Sequence, residues 1–235
     1  MQVFAGLIAF VAALAASPAV SQRPADKGGA PDWGGIEHFR ERNLALPAAI
    51  GPRVVFMGDS ITHGWASQPW FSARKNYVGR GISGQTAQQM LVRFRADVVD
   101  LKPRAVHIMA GTNDLAQNAG IETDADIESA IASMAELARA NRIAVVLAAI
   151  PPTTDFPWRR GLNPAPRIAT INAWLRDYAA RRKVVFVDYG SILAMPNGAM
   201  KPEFTLDGVH FSDGGYAAIQ PLAAAAIGKA LAAKR

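Results

Sequence analysis

The chain has 235 residues, half of them hydrophobic and 19% charged, enough for one sizeable core and too few for two large domains. No cysteine occurs, which excludes a disulfide framework, a thiolate metal site, a Cys nucleophile and a lipid-modified Cys within this sequence. Lys and Arg outnumber Asp and Glu by 25 to 19, giving a pI near 9.9, but no nucleic-acid motif accompanies the excess. The cations at 93 and 95, 159–160 and 181–183 fall in three separate segments, so a solvated basic surface is expected, with attraction to anionic lipid or polysaccharide as the alternative.

Residues 1–21 carry no charged side chain, are apolar from 3 to 16 and reach Ala19-Val20-Ser21, a small-x-small pattern suited to signal peptidase. They are expected to be an export signal, with Gln22 opening a periplasmic or secreted mature protein. The apolar run is short for a bilayer span, so no stable membrane insertion is expected after cleavage. Residues 22–48 read as a linker, broken by Pro24, Gly28-Gly29 and Pro31, followed by a short helix within 36–46 that packs outside the domain. One catalytic domain then covers 49–235. Strands are predicted at 54–57, 77–78, 105–109, 143–150 and 184–187, and helices from 61 onward and over 86–101, 124–141, 166–182 and 213–232. This alternation predicts an α/β domain of three layers, α/β/α, around a five-stranded parallel sheet.

In such a sheet the ligand sits beyond the carboxyl ends of the strands, near the point where strand order reverses. Four strings fall there: Gly58-Asp59-Ser60, Gly81-Ile82-Ser83-Gly84, Gly111-Thr112-Asn113-Asp114 and Asp207-Gly208-Val209-His210. Singly, each has an ordinary explanation as a helix cap, a turn or loop chemistry. Together they supply a serine esterase: Ser60 as nucleophile, His210 as its base, Asp207 to orient the ring, and Gly84 and Asn113 as oxyanion donors. Among the other histidines, His107 lies inside a strand and suits a core role, and His38 belongs to the N-terminal segment. His63 stands one turn after Ser60 but has no acid positioned to hold it. Asp59 and Asp114 are expected to fix loops by accepting backbone hydrogen bonds.

These strings are similar to the blocks of the SGNH, or GDSL-type, hydrolases, over about residues 54–216. The resemblance implies a flavodoxin-like fold and hydrolysis of carboxylic esters without metal or organic cofactor. It also implies an oxyanion hole made by the Ser60 amide, the Gly84 amide and the Asn113 side chain. Residues 76–94 and Asp155-Phe156-Pro157-Trp158-Arg159 most resemble the bacterial lysophospholipase-like and platelet-activating-factor acetylhydrolase-like members. Two positions depart from the usual pattern, Gly79 where relatives often carry Asn and Phe211 where they often carry Pro.

The first departure creates a literal Gly-x-Gly-x-x-Gly over 79–84, the fingerprint of a dinucleotide-binding oxidoreductase. That rival lacks its ribose-binding acid, because Asp97 and Asp100 fall within a predicted helix and Asp114 lies too far along. A non-catalytic binding protein on the same fold would be expected to have lost part of the Ser-His-Asp set, which is intact. For substrate, the loop over 151–166 offers Trp158 and Arg159, with Phe156 and Arg160, to one pocket wall, and Trp65 and Trp70 are candidates for another. Without a long lid insertion, a short-acyl ester of a sugar or small alcohol is expected, with a lysophospholipid or thioester as the alternative. No partner beyond this small-molecule or acylated-glycan substrate is implied, and neither nucleic acid nor metal is.

Overall fold

The protein is described by a computed structural model over residues 32–233, so the expected export signal and the start of the linker lie outside the described residues. Strands β1 (Val54–Gly58) and β3 (Ala105–Met109) are buried along their whole length, and β4 (Ala144–Ala148) nearly so. Continuous apolar runs of this kind fit strands covered on both faces. β2 (Tyr77–Gly81) and β5 (Val185–Val187) are more exposed and form the two edges. All pairings are parallel in the order β2-β1-β3-β4-β5, a flavodoxin-like arrangement whose direction of winding reverses between β1 and β3. Gly58 sits level with Gly81 on one side and Met109 on the other, so the loops after β1, β2 and β3 open at one height.

In chain order the helices are α1 (Arg40–Leu44), α2 (Ser60–Ala66), α3 (Pro69–Ser72), α4 (Ala87–Asp97), α5 (Thr112–Leu115), α6 (Asp124–Ala140), α7 (Ala165–Arg182), α8 (Gly190–Leu193) and α9 (Asp213–Ala232). Alternate residues of β1 feed opposite cores. Val55 and Met57 meet Phe94, Ile131 and Leu175 from α4, α6 and α7, whereas Val54 and Phe56 meet Trp65, Ile219 and Ile227 from α2 and α9. This is the three-layer α/β/α architecture expected from the sequence. Among the described residues no helix is long and apolar enough to cross a membrane.

Four local findings differ from expectation. β2 runs on to Gly81 although Gly79-Arg80-Gly81 has the composition of a turn, because α2 lies almost against the strand. A Cβ at 79 would come within 2.6 Å of the Ala66 Cβ, and one at 81 within 2.3 Å of the His63 amide nitrogen. Only glycine allows that approach, which accounts for Gly79. The helix expected over 86–101 ends at Asp97 and finishes as a separate 3-10 turn, Val99–Leu101. The outer helix is confined to α1.

The fourth concerns charge. Arg93, read as part of a solvated surface, is wholly buried, as is Arg80 nearly so. Arg93 pairs with Asp97 at 2.9 Å and donates to Gln85 Oε1 at 2.6 Å and the Gly58 carbonyl at 3.1 Å. Arg80 donates to Asn43 Oδ1 from Nε and Nη2, and Asn43 donates in turn to Asp97 at 2.7 Å. Gln85 reaches the Gly34 carbonyl at 3.0 Å. This network staples residues 34–43 to β2 and α4, running from the Gly58 carbonyl at the β1 terminus to Asp97 at the far end of α4.

Three strand entries share an unusual backbone. Lys102, Arg142 and Lys183 take left-handed conformations (φ 49°, 59° and 54°) just before β3, β4 and β5. Glycine would occupy such positions without steric penalty, and a side chain there costs about 1 kcal/mol. A cation near a helix carboxyl end recovers roughly 0.3–1 kcal/mol, so local stability is close to indifferent to these residues.

Candidate active site

Ser60 opens α2 straight from the end of β1, where the positive end of the helix dipole faces the sheet edge. Its turn is held by buried Asp59, whose Oδ1 accepts the Ile61 amide at 2.9 Å. Ser60 Oγ lies 2.9 Å from His210 Nε2, across 150 residues of sequence, and His210 Nδ1 lies 2.7 Å from Asp207 Oδ2. The other Asp207 oxygen accepts the Val209 and His210 amides at 2.9 and 2.8 Å, so the three-residue spacing closes a compact loop. Thr205 clamps it, donating to the His210 carbonyl at 2.9 Å and accepting from the Gly208 amide at 2.8 Å. Burial pushes the Asp207 carboxyl up, but hydrogen bonds from the His210 ring and from the His210 and Val209 amides outweigh it and leave it below its ordinary value. An ionised Asp207 fixes the ring proton on Nδ1 and leaves Nε2 free to accept from the Ser60 hydroxyl.

Asn113 reaches the same edge from α5. The sharp entry to that helix needs Gly111, at φ 118°, where a Cβ would stand 2.5 Å from Ile150 Cδ1. Asn113 is buried and donates from Nδ2 to the Gln85 carbonyl at 3.1 Å and to Asp59 Oδ2 at 3.2 Å. Gly84, left-handed at φ 81° and exposed, lies in the loop after β2. Asn118, which nothing in its sequence setting singles out, ties these pieces together. Its Nδ2 donates to Asn113 Oδ1 at 2.7 Å and to the Gly84 carbonyl at 3.4 Å, while its Oδ1 accepts the Trp158 indole N–H at 3.0 Å. The Trp158 ring also stands 5.8 Å from the His210 ring, centroid to centroid.

The two buried acids beside the site behave as loop fasteners. Burial pushes Asp59 up to about 6, against the stabilising Ile61 amide and His210. Asp114 accepts the Ala87 amide at 2.9 Å, joining α5 to the start of α4, and burial followed by its contact with Glu122 holds it well above the usual carboxylate range.

The expected substrate walls divide. Trp158 is 43% exposed beside His210, and Arg159 is exposed nearby, its Nη1 3.4 Å from Gln117 Oε1. Trp65 lines no surface: it is fully buried, with Phe56 at 5.4 Å, Trp70 at 5.5 Å and Tyr216 at 6.2 Å around its ring. Five positions beyond Ser60, it falls on the sheet-facing side of α2, so that wall is withdrawn. His107 is likewise a core residue, its Nε2 2.9 Å from the Tyr189 hydroxyl, and burial depresses it to about 3. His63 is exposed on α2. The dinucleotide reading fails on geometry, because the Ala66 side chain over Gly79 and the His63 backbone over Gly81 leave no room for the close approach of a pyrophosphate. Among the described residues, no group of three or more His, Asp or Glu side chains is arranged to hold a metal ion.

Comparison with known proteins identifies the family. Residues 56–218 match the model of the GDSL-like Lipase/Acylhydrolase family. A GDSL-like lipase of Bacteroides thetaiotaomicron is 43% identical with a TM-score of 0.80, over 84% of this chain and 99% of that one. A protein named as an acylhydrolase from Bacteroides fragilis is 42% identical with a TM-score of 0.82, over 86% and 100%. The uncharacterized lipoprotein YqeF of Bacillus subtilis is 38% identical over 78 residues, 27% of this chain and 32% of that protein, so the match spans about a third of its length. The chain belongs to the GDSL-like lipase/acylhydrolase family, and it is a carboxylic ester hydrolase.

Proposed function

We propose that the protein is a serine esterase that works through an acyl-enzyme on short-acyl esters of a sugar or small alcohol. The observation that carries this reading is the continuous path from Ser60 Oγ through the His210 ring to the Asp207 carboxylate. His210 takes the Ser60 proton as the oxygen attacks the ester carbonyl. The Ser60 and Gly84 amides and one N–H of Asn113, turned from Gln85 or Asp59, receive the oxyanion. The alcohol departs with the proton from His210, and water, deprotonated by the same ring, releases the acid. Trp158 and Arg159 border the alcohol or acyl group on the His210 side. The open setting of the triad, about one-third exposed at Asp207 and His210, supports a small acyl group.

The same reading takes residues 1–21 as a cleaved export signal, 22–48 as linker and short helix, and 49–235 as the hydrolase domain. The Bacillus relative is called a lipoprotein, which supports export, and the reading places the mature protein in the periplasm or medium. Hydrolysis of p-nitrophenyl acetate by the protein from Gln22 onward, beside Ser60→Ala, tests the mechanism. Activity is expected in the first and near background in the second. Equal rates would overturn the assignment of Ser60.

A further inference from the structure

We propose that the end of the molecule opposite the triad is a docking face for an anionic phospholipid bilayer, which would hold the enzyme at a membrane surface with its active site turned to the water. The winding of the fold brings every strand entry to this end, and each carries a cation: Arg53 before β1, Lys75 before β2, Lys102 before β3, Arg142 before β4 and Lys183 before β5. The entries of β1, β3 and β4 adjoin. The Arg104 amide donates to the Arg53 carbonyl at 2.8 Å, and the Ala144 amide to the Arg104 carbonyl at 3.1 Å.

Two adjoining recesses open here and share Arg142. One, of about 430 Å³, is lined by Arg95, Lys102 and Arg104, with Asp100 as its acid. The other, of about 360 Å³, is lined by Arg139, Arg182 and Lys183, of which Arg182 is paired with Glu136 at 2.8 Å. Of the five non-glycine residues with left-handed backbone among the described residues, three are the cations Lys102, Arg142 and Lys183. Each takes a place where glycine is strain-free and where the cation only offsets the backbone cost, so local stability does not select these residues over glycine, whereas a shared role for their charge at this face does.

A bilayer is favoured over a soluble polyanion by what stands beside the cations. Leu44 is 84% exposed and Ile50 88%. Both belong to this end: neighbouring Asn43 bonds the end of α4, and Arg53 holds the Pro47 carbonyl at 2.5 Å and the Leu101 carbonyl at 2.8 Å. Isolated aliphatic side chains beside a field of cations match a headgroup layer over acyl chains. A sugar polyanion would instead be met by polar and aromatic faces.

Co-sedimentation with phosphatidylglycerol/phosphatidylcholine vesicles tests this. The protein from Gln22 onward is expected to bind them, to release with salt, and to ignore pure phosphatidylcholine. Lys102→Gly, Arg142→Gly and Lys183→Gly combined should weaken binding by at least about tenfold, with an undiminished Tm and unchanged hydrolysis of p-nitrophenyl acetate. Leu44→Ser with Ile50→Ser should weaken it further at fixed charge. Bound enzyme should hydrolyse p-nitrophenyl acetate as fast as free enzyme. Absence of binding, binding unchanged in the triple variant, inhibition of bound enzyme, or displacement from vesicles by polygalacturonate at lower charge concentration than the lipid supplies would each overturn the proposal.

Discussion

Asn113 can offer an N–H to an oxyanion only while its amide faces the site, and the 2.7 Å bond from Asn118 Nδ2 to Asn113 Oδ1 fixes that orientation. Loss of the donor itself, in Asn113→Ala, is expected to lower kcat about a hundred- to a thousandfold. Asn118→Ala should lower kcat by about tenfold with KM little changed, since the donor survives but loses its support. Steady-state kinetics on p-nitrophenyl acetate separate the two, and a change confined to KM would show that Asn118 only touches substrate. That Ser60, His210 and Asp207 would meet was legible because they stand in short strings at the ends of predicted elements. Asn118 was not, because its part is defined by three partners from three separate segments, Gly84, Asn113 and Trp158. Trp65 shows the reverse: an aromatic near the nucleophile in sequence that helix geometry carries into the core. His107 gives a residue-scale test of stability. Its ordinary value of 6.5 falls to about 3 on burial, so the unfolded chain takes up a proton that the folded protein refuses between those limits. Stability from this residue is complete above pH 6.5 and falls by about 1.4 kcal/mol per pH unit below it. Asp59 opposes this below about pH 6, because its raised value favours the folded state as pH falls. Urea denaturation at pH 7.5 and 4.5 should show His107→Gln losing about 2–3 kcal/mol less than the unchanged protein over that interval.

At the scale of elements, α1 has no buried apolar face, and it and the segment before it are held by buried polar groups packed around one buried ring, Phe39. Arg93 and Asp97 are wholly buried partners, and Asn43 and Gln85 complete their hydrogen bonds. Removing one member leaves the other charged and desolvated. Asp97→Ala should therefore cost about 3–5 kcal/mol of unfolding free energy, whereas Arg93→Met with Asp97→Leu should cost much less than either single change. Denaturant titration checks both, and a double variant worse than the sum of the singles would overturn the account. β1, β3, β4 and the long helices were readable because burial on both faces, or on one stripe, leaves a periodic record in sequence. The end of β2 was not, because its glycines answer a helix 15 or so residues away in the chain; Gly79 sees Ala66, and that contact has no local signal.

Across the whole molecule, chemistry and net charge are separated by the length of the strands. Asp59, Asp114 and Asp207 sit at the carboxyl ends, and the cationic recesses lie at the amino ends. Of the basic segments scattered along the chain, Arg95 and residues 181–183 reach the strand entries, because parallel winding returns every entry to one end, whereas Arg93 is buried and Arg159 stands near His210; residue order held that information, but composition did not. The volume of those recesses is not available to a substrate at Ser60. Esters of rising chain length should accordingly give no gain in kcat/KM: acetyl is expected to match or exceed octanoyl and to exceed palmitoyl, and a higher value for palmitoyl would favour lysophospholipid chemistry instead. Because the cations stand on the side away from Ser60, the fold also comes with a built-in handle for solid supports. Adsorbed on sulfonated beads near neutral pH, every molecule should seat by the same end, leaving its catalytic edge toward the flowing solution, and the column should work with the turnover of the dissolved enzyme until salt strips it off.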